Sequence, residues 1–270
     1  MNQPKRRRRT EIPWWLLATV LLGLLISWSI VADQGYREIF LALSGGILTT
    51  LWVTLVAFGL ALALGLVVVM ARRSRLRLLR ELATFYVEIV RGIPVLVVLF
   101  YVAFVGAPWL VDAVNFVIGP LIGRGWVPSL SIRTLDFTGR AILALMICYS
   151  SFIAEIFRAG LEAVPVGQAE AAKSLGLPRW ITFRKVVAPQ ALRTILPPLG
   201  NDFVSMVKDS ALVSALGVQD ITQLGKVYSS GTFKFFETYN VVAFLYLVMT
   251  VSLSLIVRYV EHRLSRSGAR

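Results

Sequence analysis

The sequence is poor in the residues that build metal centres and disulfide frameworks. Its 270 residues include one cysteine, Cys148, and one histidine, His262. A single cysteine excludes an intramolecular disulfide and a cysteine-rich metal site, and His262 stands in a charged tail without neighbouring ligand residues. We therefore predict no bound metal ion.

Charged residues are also scarce, and the acidic ones are the scarcest. Only 16% of the chain is charged and 57% is hydrophobic, whereas soluble domains are about a quarter charged and about half apolar. The apolar residues form runs close to the ~20 residues that a membrane-spanning helix needs. The composition predicts an all-α, polytopic membrane protein and argues against one large soluble domain.

Catalytic motifs are missing as well. The sequence has no Gly-x-x-x-x-Gly-Lys-Ser/Thr phosphate-binding loop, and its Gly-Lys pair, Gly225-Lys226, lacks the upstream glycine. It also shows no nucleophile with a matching base. We predict that the chain is not an enzyme and that any nucleotide is bound by another chain.

Six apolar runs are long enough, or nearly so, to cross a bilayer. They comprise residues 12–31, 46–70, 87–106, 140–157, 194–217 and 238–257. Residues 110–122 are apolar too, but they are too few to cross a membrane. This shorter run favours an interfacial or re-entrant helix on the outer side.

Positive charges predict which loops face the cytoplasm. With the run Lys5 to Arg9 taken as cytoplasmic, the loops on that side carry 20 of the 28 lysines and arginines, and the loops on the other side carry five. Both termini are therefore predicted to be cytoplasmic. The net charge of +13 reflects topology and contact with lipid headgroups, and it implies no nucleic-acid partner.

The first apolar run has an alternative interpretation as a secretory signal. A basic stretch precedes it and Ala32 follows it, as at the end of a signal peptide. The run is longer than a usual signal core, however, and the surrounding residues form a poor cleavage site. We expect residues 12–31 to stay in the chain as a helix.

The largest predicted cytoplasmic loop, residues 158–193, has a helix-and-turn pattern. Residues 168–175 are good helix formers that follow Pro165. Gly176 can adopt the left-handed conformation that ends a helix, and Pro178 can begin the next one. We predict a short helix lying across the mouth of the bundle.

Glu170, Ala171 and Ala172 would give this short helix a thin face with one negative charge. Such a face suits docking into a groove on another protein. The alternative is a surface helix without a partner.

This loop resembles the EAA loop of bacterial binding-protein-dependent ABC importer permeases. The resemblance rests on Gly167, Glu170, Ala171, Ala172, Gly176, Val186 and Pro189. Other segments are similar to the polar amino acid branch, of the histidine and glutamine type, within that family. They are Arg91 to Pro94, Phe157 to Leu161 and Lys208 to Leu212.

The family implies a type I ABC importer (MetI-like) bundle with about six transmembrane helices in a bacterial inner membrane. Residues 44–260 would form the permease domain, with the EAA loop at about 158–193. Residues 1–43 would add a basic cytoplasmic tail and an extra first helix, and residues 261–270 would be a second cytoplasmic tail.

The resemblance also implies partners and a cargo. A cytoplasmic ABC ATPase dimer, which carries ATP and Mg, would grip the loop at Gly167, Glu170, Ala171, Ala172, Gly176 and Pro189. A periplasmic substrate-binding protein would deliver an amino acid or a related small polar solute. A second permease chain, identical or paralogous, would complete the pathway, and this chain would bind no cofactor itself.

The fifth apolar run contains ionisable residues, which are costly at membrane depth. On a helix, Asn201, Ser205 and Lys208 share one face, and Asp202 and Asp209 form the adjoining stripe. This face is a candidate lining of the translocation pathway. Alternatively, Lys208 pairs with a carboxylate between helices and serves packing alone.

Two other classes of function stay open at this point. A secondary transporter or channel would need no ATPase, and internal repeats would favour it. We find no convincing repeat. A membrane scaffold would only anchor a complex, and the polar face of the fifth run argues against an inert anchor.

Overall fold

Long apolar helices account for most of the chain. The computed structural model describes residues 14–266, and within these residues the protein is helical with no β-strand. The predicted all-α class is therefore confirmed. The basic run Lys5 to Arg9 and residues 267–270 lie outside the described residues.

The helices follow one another with short connections. They are α1 (Trp14–Ala32), α2 (Gln34–Arg72), α3 (Arg77–Gly92), α4 (Val95–Ile122), α5 (Phe137–Glu162), α6 (Val166–Ser174), α7 (Arg179–Thr182), α8 (Ala188–Asp209), α9 (Ile221–Thr232) and α10 (Phe235–Arg266). Two 3₁₀ turns, Ile132–Thr134 and Ser210–Leu216, occur between them. The predicted tail at 261–270 thus begins inside α10.

Among residues 14–266, four helices are long and apolar enough to cross a membrane: α2, α4, α5 and α10. Three of them contain the predicted runs 46–70, 140–157 and 238–257, which are confirmed. The first run corresponds to α1, which is apolar but shorter. The fifth run lies mainly in α8, which is long enough but carries three charged residues in its second half.

The third predicted run, residues 87–106, is wrong as a single helix. It is broken after Gly92, where Ile93 is extended with φ −106° and ψ 136°. A residue before proline disfavours the helical region, and Pro94 has no N–H to donate. The helix restarts at Val95 and runs to Ile122, so residues 110–122 continue a helix that is long enough to span the membrane and do not form a separate interfacial one.

Two π-helical turns interrupt otherwise regular helices, at Val102–Gly106 in α4 and at Phe183–Val187 between α7 and α8. Each is followed by Ala-Pro, at residues 107–108 and 188–189. The alanine N–H bonds the carbonyl five residues earlier. The proline has no N–H to donate to the carbonyl four residues before it. The wider turn lets the backbone hydrogen bonds of the helix continue around this position.

As a result, the chain stays helical from α7 through α8. Pro197 and Pro198 lie inside α8, and prolines at such positions are expected to kink a helix or make it restart. The helix does not restart there. One continuous helix therefore leads from the loop after α6 to the charged residues of the fifth run.

The core lies where α2 packs along α5. On α2 the buried positions Val53, Ala57, Ala61 and Gly65 recur every four residues, so they share one face. Small side chains let two helices approach closely in a membrane. Cys148 belongs to this core at 1% exposure and is a packing residue.

Candidate coupling and translocation site

The predicted loop helix exists as α6, Val166–Ser174, in place of residues 168–175. Gly176 ends it in the left-handed region with φ +77°. The N–H of Leu177 bonds the carbonyl oxygen of Ala172 at 3.1 Å and closes the turn. α7 then begins directly after Pro178, as predicted.

One side of α6 is open and the other packs on its own chain. Glu170 and Ala171 are exposed, and Leu175 is 80% exposed just beyond the helix. Ala172 is only 4% exposed. The outward face therefore includes Glu170, Ala171 and Leu175, with Lys173 also exposed, whereas Ala172 holds the helix against the following segment.

The surroundings extend this outward face. Val166 is 73% exposed at the start of α6, and Trp180 is 67% exposed and stacks on Phe183 with ring centroids 6.3 Å apart. Gly167 and Pro189 are both exposed. Apolar side chains this exposed beside one carboxylate form a surface suited to a protein groove.

An ion-pair network ties α2 to α5 just before α6. Arg158 bonds Glu155 at 2.7 Å and Glu162 at 2.6 Å, and Arg72 of α2 bonds the other oxygen of Glu155. The side chains of Arg72 and Glu155 are only 15% and 17% exposed. The network fixes the end of the bundle from which the loop leaves.

We expect Arg72→Gln to lower the free energy of unfolding by about 1–3 kcal/mol, because Glu155 loses one of two charged partners in a largely buried site. Thermal unfolding of the detergent-purified chain measures this change. Arg73→Gln is the matched control, since Arg73 is exposed and forms no ion pair among residues 14–266. Equal stability of the two variants would contradict the role.

The predicted polar stripe of α8 divides into two faces. Asn201 and Lys208 are exposed and Ser205 is half-buried, whereas Asp202 is half-buried and Asp209 turns towards α5. Lys208 makes no ion pair within the described part of the chain. The described residues of this chain therefore contain no buried Lys208–carboxylate pair.

Tyr149 of α5 is the residue that sequence reasoning missed. Its hydroxyl donates to Asp209 Oδ2 at 2.8 Å. Asp202 Oδ2 is buried without a hydrogen-bond partner among the described residues. The feature of the sequence that points to Tyr149 is three consecutive polar residues, Tyr149, Ser150 and Ser151, in the middle of an apolar run.

The α5–α8 crossing beneath the polar face depends on Gly160. A Cβ atom there would overlap the side chain of Ile195 and lie 3.3 Å from the carbonyl oxygen of Ala191. The two helices thus touch at the level where α5 gives way to the loop. Between residues 14 and 266 no group of three or more His, Cys, Asp or Glu side chains is arranged to hold a metal ion.

Comparison with known proteins places this geometry in a family. Residues 61–266 match the family described as "Binding-protein-dependent transport system inner membrane component". The probable glutamine ABC transporter permease protein GlnM of Bacillus subtilis is 34% identical over 82% of this chain and 93% of its own length. The L-cystine transport system permease protein TcyB of the same organism is 32% identical over 94% of this chain and 98% of its own.

A solved structure agrees. The crystal structure of an amino acid ABC transporter with histidines is similar with a TM-score of 0.69 and 32% identity, over 87% of this chain and 98% of that one. Permeases of this kind are not enzymes, and they work with a separate ATPase and a substrate-binding protein. The chain belongs to the family of binding-protein-dependent inner-membrane components of ABC importers.

Proposed function

We propose that this chain is the permease subunit of an importer for an amino acid or a closely related small polar solute. The observation that carries the proposal is the exposed face of α6 at the end of a membrane bundle. The named relatives are described as a probable glutamine permease and an L-cystine permease, which supports the cargo class. Because these two relatives are named for different amino acids, we propose the class of cargo and no single amino acid.

The loop helix is the proposed contact with the ATPase. Glu170, Ala171 and the adjoining Leu175 would touch the partner. Ala172 and Gly176 would set the angle of the helix, and Gly167 and Pro189 flank the contact. ATP and Mg would be bound by an ATPase dimer, with no cofactor on this chain.

The exposed face of α8 is the proposed lining of the pathway. Asn201, Ser205 and Lys208 would line it. Asp209, which Tyr149 holds, and the half-buried Asp202 would lie behind them. An exposed lysine on a helix of a membrane bundle needs a polar environment. A second permease chain, identical or paralogous, would supply the opposite wall.

The proposed topology places both termini and α6 in the cytoplasm, with residues 1–43 as an addition to a permease domain at 44–260. Coupling then requires that the ATPase bind α6 differently in the inward and outward states. Because α7 and α8 form one continuous helix, a change in how the ATPase holds the loop would also shift the polar face of α8.

Reconstitution tests the proposal. The purified permease with its ATPase is placed in proteoliposomes, the binding protein is added outside, and uptake of a panel of labelled amino acids is measured. We expect uptake that needs ATP inside. Uptake without the ATPase would indicate a secondary transporter or channel, and an assembled complex that moves no solute would indicate a scaffold.

A further inference from the structure

One face of α3 is apolar and left uncovered by the rest of the chain. Leu78, Leu82, Phe85 and Ile89 are between 46% and 71% exposed. Their spacings of four, three and four residues place them in one stripe. The opposite side of α3 is buried in the bundle, so the stripe is a second apolar face.

The stripe leads into an apolar groove of about 680 Å³ between α3, α4 and α5. Ile89 belongs to both the stripe and the groove. Leu143 and Met146 of α5 form the far wall, and Val97 and Tyr101 of α4 form the near one. The volume lies within the range of about 300–1,000 Å³ that is common for small-molecule sites.

A cluster of arginines lies at the other end of the stripe. Arg73, Arg75, Arg77 and Arg80 are all exposed. Among the described residues, the carboxylate nearest to these arginines is that of Glu81, whose Oε1 lies 3.9 Å from Nη2 of Arg80. The guanidinium group presents paired donors that match phosphate oxygens.

We propose that α3 binds an anionic phospholipid. The arginines hold the headgroup phosphate, and an acyl chain follows the stripe into the groove at Ile89. From residue 77 to residue 89 the helix rises about 18 Å, which is close to the ~15 Å depth of one leaflet of hydrocarbon. The pair Arg72–Glu155 places the cluster at the same end of the bundle as α6, so the site would lie in the leaflet that borders the ATPase.

Several features select a lipid over a protein partner. The groove lining carries hardly any polar surface, so it offers a protein few hydrogen bonds. The charge is confined to one end and the apolar surface to the other, as in a phospholipid. This site is separate from the proposed coupling and pathway residues.

The test uses the whole transporter complex, delipidated in detergent and titrated with phosphatidylglycerol, with bound lipid counted by native mass spectrometry. Arginines near an anionic surface each contribute about five-fold in affinity. The double variant Arg77→Gln with Arg80→Gln is therefore expected to bind about 25-fold more weakly. Arg124→Gln with Arg133→Gln removes two exposed arginines elsewhere and should leave binding unchanged.

Leu143→Trp tests the groove without changing any charge, and it is expected to weaken binding as well. Unchanged phosphatidylglycerol binding in the Arg77/Arg80 variant would overturn the proposal, as would equal affinity for phosphatidylcholine of the same chain length. If the Arg77/Arg80 variant no longer bound the ATPase but still bound phosphatidylglycerol, the arginines would be contacts for a protein, and the proposal would fail. A disulfide between two copies of a Leu143→Cys variant would show that a second chain fills the groove, which would also overturn the proposal.

Discussion

Replacing Gly176 by valine is expected to reduce solute uptake to background while the protein still inserts into the membrane. Gly176 has φ +77°, and a β-branched residue in this region costs about 2 kcal/mol or more. The chain would leave the left-handed conformation, and the turn that Leu177 closes on Ala172 would open. The outward face of α6 would then point away from the ATPase.

Gly125→Val is a matched control. Gly125 has φ +74°, and, as at Gly176, no atom lies within 4 Å of where a Cβ would stand. It lies in the connection between α4 and α5, far along the chain from α6, so the same backbone strain should leave uptake largely intact. Uptake assays in whole cells and membrane fractionation measure the two variants together. Normal transport by the Gly176 variant would argue against the coupling role of α6.

Replacing Gly160 by valine is expected to cause the largest loss of stability. The new side chain would collide with Ile195 and press on the carbonyl of Ala191. Overpacking a tight helix crossing costs about 1–3 kcal/mol, and more where backbone blocks relief. We expect a lower melting temperature and less folded protein in the membrane, measured by thermal unfolding and fluorescence-detected size exclusion.

Two further variants make the result specific. Gly59 is exposed on α2, and no atom lies within 4 Å of the position its Cβ would take, so Gly59→Val should have little effect. Adding Ile195→Ala to Gly160→Val should recover part of the stability, because it removes the side chain that clashes. A destabilised Gly59 variant, or no recovery in the double variant, would point to a cause other than this crossing.

The parts of the fold that could be predicted depend on local pattern. α2, α5 and α10 follow from long apolar runs, and α6 follows from Pro165, its helix formers and Gly176. The break at Ile93 was visible as Gly-Ile-Pro, but the surrounding apolar residues masked it. The extension of α4 to Ile122 was missed because a π-helical turn carries the helix past Pro108.

The geometry of the site was harder to predict, because it depends on which helices meet. The sequence places Glu170, Ala171 and Ala172 side by side, yet only packing against the following segment turns Ala172 inward. Glu155 and Arg158 are three residues apart, whereas Arg72 is 83 positions from Glu155. The hydroxyl of Tyr149 reaches Asp209 across 60 positions, and no local periodicity reports such pairs.

The unbroken run from α7 to α8 has a mechanical consequence. Residues 179–209 rise about 45 Å. Pro189 has no N–H to donate, and the helix continues past it because the turn at Phe183–Val187 is widened. Trp180 and Lys208 therefore lie near opposite ends of one continuous helix. In the proposed topology, a tilt of this helix about its middle would move its two ends in opposite directions, so a displacement at Trp180 would be accompanied by an opposite displacement at Lys208.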